Sequence, residues 1–119
     1  MGDFRRLIAW QKANAFAIAI HKAFAGRRAN ISSGLRAQIL TAANSIPDNL
    51  AEGCAKNSRR ALASYADSAY SSAKEVANHL IKSRDLEILP TQEFQELFEQ
   101  GDEVSRLCFS LTIVPPNAK

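Results

Sequence analysis

The sequence predicts an all-α protein, an antiparallel up-down-up-down bundle of four helices forming a single domain over residues 1–119. Three observations carry this. Apolar residues recur at steps of three and four in four stretches, about 7–25, 33–54, 58–84 and 91–114, and nowhere alternate as a strand would. Breaking or turn-forming residues separate the stretches, so each connection is short and successive helices become antiparallel neighbours. No solenoid-length repeat and no low-complexity segment interrupts the pattern.

In helix one, Trp10, Ala13, Ala17, Ile20 and Phe24 form a seam of the coiled-coil kind. Ile8, Ala15 and Ala19, with Ile18 beside them, form a weaker stripe on the opposite side. Gly26 to Asn30 ends the helix, and Ser32 or Ser33 can cap the next one. Helix two presents Leu35, Ile39, Ala42, Ile46 and Leu50 on one face. It contains Pro47, which lacks an N–H and crowds the carbonyl of Ala43, so a kink is expected there. Ser45 and Asn49 flank the proline and can satisfy backbone groups locally; Gly53 offers a left-handed stop.

Ser58 is expected to cap helix three, whose main face is Leu62, Tyr65, Ala69, Ala73 (or Ser72), Val76 and Leu80. Ala63, Tyr70, Ala77 and Ile81 line a flank about 100° round. Thr91 is expected to cap helix four, with Glu93 in the first turn where negative charge suits the dipole. Phe94, Leu97, Gly101, Val104, Cys108 and Leu111 make its seam, Phe98 and Phe109 share another flank, and Pro115–Pro116 stops it.

With 46% hydrophobic residues, 119 residues suffice for a packed core. No run of about 18 apolar residues is present, and the N-terminus lacks the apolar stretch of a signal peptide, so no membrane span or export is expected. Cys54 and Cys108 have no metal-ligand spacing and read as buried, reduced thiols of a cytoplasmic protein. Charge is uneven: residues 1–84 carry 13 Lys/Arg and 5 Asp/Glu, whereas residues 85–119 carry 2 and 7. An acidic fourth helix lying on basic neighbours explains this, and so does a basic surface for a polyanion.

Several residues carry a resemblance. Trp10, Lys12 and Ala13, then Gln38, then Ser45-Ile46-Pro47-Asp48-Asn49-Leu50-Ala51-Glu52-Gly53, then Ser71 and Glu75 resemble the bacterial four-helix bundle protein family. That family includes proteins encoded in intervening sequences of 23S rRNA genes, and the accessory variability determinant of diversity-generating retroelements is similar to it. The chain departs from the pattern at Tyr70, where a small Gly is usual, and at His21, where an apolar or aromatic residue is usual. The resemblance implies a helical bundle that assembles into a homo-oligomeric ring, typically of five, with no established enzymatic activity. Its retroelement relative binds a reverse transcriptase and nucleic acid.

No chemistry-bearing cluster is readable beside this motif. Glu52 has no partner base, nucleophile or metal ligand; it reads as a group that locks helix ends, accepting from the Trp10 indole or a backbone N–H, or pairing with a nearby Arg or Lys. A di-iron bundle needs Glu-x-x-His pairs, whereas Glu75 and His79 are four apart and His21 stands alone, so both histidines read as partly exposed polar residues. Gly26, Gly34 and Gly53 are solitary and build no phosphate loop. The expectation is a non-enzyme with no cofactor, metal or small-molecule substrate, whose main partner is itself. Ile8, Ala15, Ile18, Ala19, Tyr70 and Ile81 are the candidate interface. The alternative is nucleic-acid binding by one bundle end that gathers Arg5, Arg6, Lys56, Arg59 and Arg60.

Overall fold

The computed structural model describes residues 2–25 and 32–118, without the side chain of Ser33. The expected turn at Gly26 to Asn30 therefore lies outside the described residues. A short 3-10 turn, Phe4–Arg6, leads into α1 (Ile8–Ala25), α2 (Ser33–Ala55), α3 (Arg59–Asp85) and α4 (Thr91–Thr112). No strand occurs among the described residues. Each helix packs on the next and α4 closes back on α1, giving a rod of 51 × 20 × 19 Å.

Cross-helix contacts fix the register of the neighbouring pairs. His21 Nε2 lies 2.9 Å from Asn44 Oδ1 between α1 and α2, and Ser45 Oγ lies 2.8 Å from Ser72 Oγ between α2 and α3. The Tyr70 and Phe109 rings meet at 5.5 Å between α3 and α4. Lys12 Nζ reaches Glu103 Oε1 at 3.8 Å between α1 and α4. The core runs the length of the rod, with Ala13, Ile20, Phe24, Ile39, Ile46, Leu50, Ala69, Val76, Leu80 and Val104 among its buried members. Phe16, absent from the predicted seam, is fully buried and faces Gly101 on α4.

Two helix ends differ from expectation. Gly53 does not stop α2; it lies inside the helix, where a Cβ would stand 2.9 Å from Tyr65 Cβ and 3.3 Å from Leu62 Cα, so its role is close approach of α2 to α3. Asn57 takes the left-handed position instead, at φ 54°. Thr91 does not cap α4: the N-cap is Pro90, which has no side-chain oxygen to offer. Ser32 and Ser58 do cap α2 and α3, accepting from the backbone N–H of Leu35 and Ala61. α3 ends in a Schellman turn, with Glu87 at φ 61° and the Ile88 N–H donating to the Ser83 carbonyl at 2.8 Å.

Candidate interaction surfaces

The motif residues lie mostly along the α2 seam and at the α1 start. α2 continues unbroken through the buried Pro47. The Asn49 amide donates to the Ser45 carbonyl at 2.8 Å and to Ser45 Oγ at 3.0 Å, and Ser45 in turn meets Ser72. These bonds place a polar tie between α2 and α3 beside the one position where the helix lacks a donor. Ala13 and Ile46 are core, Ala51 is half-buried, and Gln38 and Ser71 are exposed. Glu52 is exposed, and no hydrogen bond or ion pair of its side chain occurs among the described residues. Trp10 packs edge-on against Phe4 at 4.9 Å instead of donating to Glu52.

The basic end is smaller than the sequence suggests, because two of its cations have partners within the fold. Arg59 donates to the Leu111 carbonyl at 2.7 Å and the Ile113 carbonyl at 2.9 Å, capping α4 from the start of α3. Arg5 forms a bidentate pair with Asp3 at 2.9 Å, and its guanidinium holds the Asp3 carboxyl below its ordinary range. Lys56 lies 5.9 Å from the Tyr65 ring centre. Arg6 and Arg60 remain exposed, Arg6 lining a small hollow of about 190 Å³ with Asp3, Leu7, Cys54 and Leu62.

The apolar surface also differs from the predicted one. Ile8 and Ile18 are 54% and 47% exposed, with Ala15 exposed between them. Ala19 and Ile81 are half-buried against the core, and Ala63 is buried, so the helix-three flank is less free than its spacing implies. Phe109, 52% exposed, leans on half-buried Tyr70. Together with Lys74, Asp102, Ser105 and Arg106 they line a cleft of about 400 Å³ between α3 and α4. Lys74 Nζ lies 5.2 Å from the Tyr70 ring centre, and Arg106 pairs with Asp102 one turn away. Sequence reasoning put Tyr70 and Phe109 on separate flanks; nothing local joins residues on two helices whose register is set only by packing.

Elsewhere the chemistry is sparse. Cys54 and Cys108 are buried free thiols; burial pushes both upward, Cys108 to about 11. His21 is exposed, but His79 is buried, contrary to expectation, with Nε2 3.4 Å from Glu75 Oε2 and Nδ1 unpartnered. It shares the buried α3 face with Val76 and Ser83, a stripe wider than the predicted one. No group of three or more His, Cys, Asp or Glu residues placed to hold a metal occurs among the described residues. No described helix is long and apolar enough to cross a membrane.

This geometry defines the class of protein as an antiparallel four-helix bundle with separate apolar, aromatic and basic surface patches. Comparison with known proteins narrows it. The sequence profile of the 23S rRNA-intervening sequence protein family matches residues 5–110, and the chain belongs to that family. A solved structure of a protein with unknown function from the S23 ribosomal protein family of Bacteroides thetaiotaomicron is similar to it. The two are 20% identical, with a TM-score of 0.80 over 90% of this chain and 100% of the other, a likeness of fold. A search of curated proteins gives no match.

Proposed function

We propose that this chain is a non-enzymatic, self-associating bundle of the cytoplasm, a cyclic homo-oligomer that serves as an interaction or scaffold protein. The observation that carries the proposal is the pair of exposed apolar patches on different faces: Ile8 and Ile18 on α1, and Phe109 beside Tyr70 at the α3–α4 cleft. Patches of this kind mark interfaces, and two unlike patches give head-to-tail contacts, which close into rings when the rotation permits. Five subunits is the number the family resemblance implies. Ile18→Glu tests the proposal: the position is half exposed, so the monomer's helicity holds, while a charge buried at every contact reduces the assembly to smaller species. Unchanged mass for the Ile18→Glu protein in light scattering would count against the α1 patch as interface.

A second reading, binding of RNA or DNA by the basic end, has the support of Arg6, Lys56 and Arg60, which are exposed near the α3 N-terminus. It predicts salt-sensitive retention on immobilised RNA that Arg6→Glu with Arg60→Glu abolishes. Absence of wild-type retention at low salt removes it.

A further inference from the structure

We propose that the α3–α4 cleft is a binding site for a small aromatic carboxylate, which lays its ring against Tyr70 and Phe109 and its carboxylate between Lys74 and Ser105. The site is complete within one chain, so the proposal does not rest on self-association. Its starting point is a hydroxyl without a partner. Ser105 is only 3% exposed, lines the cleft, and makes no side-chain hydrogen bond among the described residues. Buried hydroxyls are ordinarily bonded, often to the carbonyl one turn back, as Ser83 is to His79. Ser105 instead keeps its O–H at the cleft floor, from which it can donate to a ligand carboxylate.

Register places a cation opposite that hydroxyl. Arg59 meets the Leu111 carbonyl, Tyr70 meets Phe109 and Arg84 lies over Phe94, so α3 and α4 run in opposite senses. Lys74 is four residues on from Tyr70, and Ser105 is four back from Phe109. The two therefore stand level, about 6 Å along the groove from the aromatic pair. Lys74 makes no ion pair among the described residues, and its Nζ lies 5.2 Å from the Tyr70 ring centre. The other two charges of the cleft cancel, because Arg106 is paired with Asp102. One uncompensated positive charge beside one unpartnered donor suits a single carboxylate.

The aromatic pair supplies the rest of the recognition. Tyr70 and Phe109 already touch, with ring centres 5.5 Å apart, so a ligand ring lies across them and not between them. Phe109 is 52% exposed, a large apolar area that such a ring covers. The step of about 6 Å from the rings to the donors asks for a carboxylate one or two carbons off the ring. The cleft volume of about 400 Å³ is that of a small-ligand site and holds an acid of this size. A polyanion fits poorly, because a single uncompensated cation lines the cleft.

Equilibrium dialysis of the full-length protein against phenylpropanoate tests the proposal. Phenylpropanamide is the neutral counterpart, and cyclohexylpropanoate is the acid without an aromatic ring. The expected result is saturable uptake of one phenylpropanoate per chain with a Kd below about 1 mM, weaker uptake of the cyclohexyl acid, and about tenfold weaker uptake of the amide. Lys74→Met erases the preference for acid over amide. Ser105→Ala weakens the acid about tenfold while Tm holds or rises, since only an unpartnered hydroxyl is lost. Lys82→Met, at an exposed position on the same helix, changes nothing. Equal uptake of acid and amide, equal uptake of the phenyl and cyclohexyl acids, or binding unmoved by Lys74→Met and Ser105→Ala overturns the assignment. Light scattering on the same samples reads self-association separately. No uptake by an assembled protein overturns the site and leaves a second copy as the cover of the cleft. Uptake by a protein of 13.0 kDa supports the site and removes self-association, and no uptake at that mass overturns both.

Discussion

Gly101→Ala probes the α1–α4 contact at its tightest point. A Cβ at Gly101 would stand 2.8 Å from Phe16 Cζ and 3.3 Å from both Cε atoms. The Phe16 ring is fully buried, so it has no solvent into which to retreat. Overpacking of this kind costs about 1–3 kcal/mol. Replacing a glycine inside a helix with alanine returns about 1 kcal/mol. The expected net loss is therefore about 1 kcal/mol, up to about 2, or a fall in Tm of roughly 4–8 °C for a domain of this size. Phe16→Leu removes the ring tip that the methyl meets. In that background Gly101→Ala should raise Tm, because the propensity gain remains and the clash does not. The double-mutant cycle then shows a coupling of about 1–3 kcal/mol. Thermal and urea unfolding followed by circular dichroism, at one fixed protomer concentration, supplies all four corners. A rise in Tm for Gly101→Ala in the wild-type background, with additive effects in the double variant, would refute the placement of Phe16 over Gly101.

Three other outcomes follow from single contacts. Arg59→Ala loses two charged hydrogen bonds to the α4 end and should cost about 1–2 kcal/mol, whereas exposed Arg60→Ala stays within about 0.5 kcal/mol by urea unfolding. Glu87→Gly relieves a side chain from the left-handed region and should stabilise by about 0.5–1 kcal/mol in the same assay. Burial raises the Cys108 thiol from its ordinary 9.0 to about 11, so the folded state holds a proton that the unfolded state loses first. The sign follows: this contribution is complete below pH 9 and falls away as pH rises towards 11, and Cys108→Ala should flatten the decline of the urea midpoint over that window.

Most of the fold was legible because a bundle of this kind is written in three- and four-residue spacing, and most residues of the four predicted seams are core, while Trp10, Leu35, Tyr65 and Leu111 are half-buried. The misses share a cause. Phe16 falls outside a seam of one residue per turn, whereas the bundle buries a wider stripe that takes in Ala9, Phe16 and Ala23 as well. His79 reads as partly exposed by polarity alone, yet it continues the Val76 face with Ser83 and is buried there. Gly53 looked like a stop because a lone glycine after a polar run often is one; only the proximity of Tyr65 and Leu62 shows that it serves packing. Glu52 and Trp10 were paired because both fall at one end of the bundle, but the pairing needs side-chain direction, and Trp10 turns to Phe4. The candidate surface was half legible. Ile8 and Ile18 are exposed as their spacing implies, while the Tyr70–Phe109 cleft depends on the α3–α4 register and leaves no trace in either helix alone.

The central claim is that the chain works as an assembly, and sedimentation velocity of the wild-type protein at micromolar concentration tests it most directly. The account predicts one species at a whole-number multiple of 13.0 kDa, without the monomer as the main boundary. A single boundary at 13.0 kDa would contradict it.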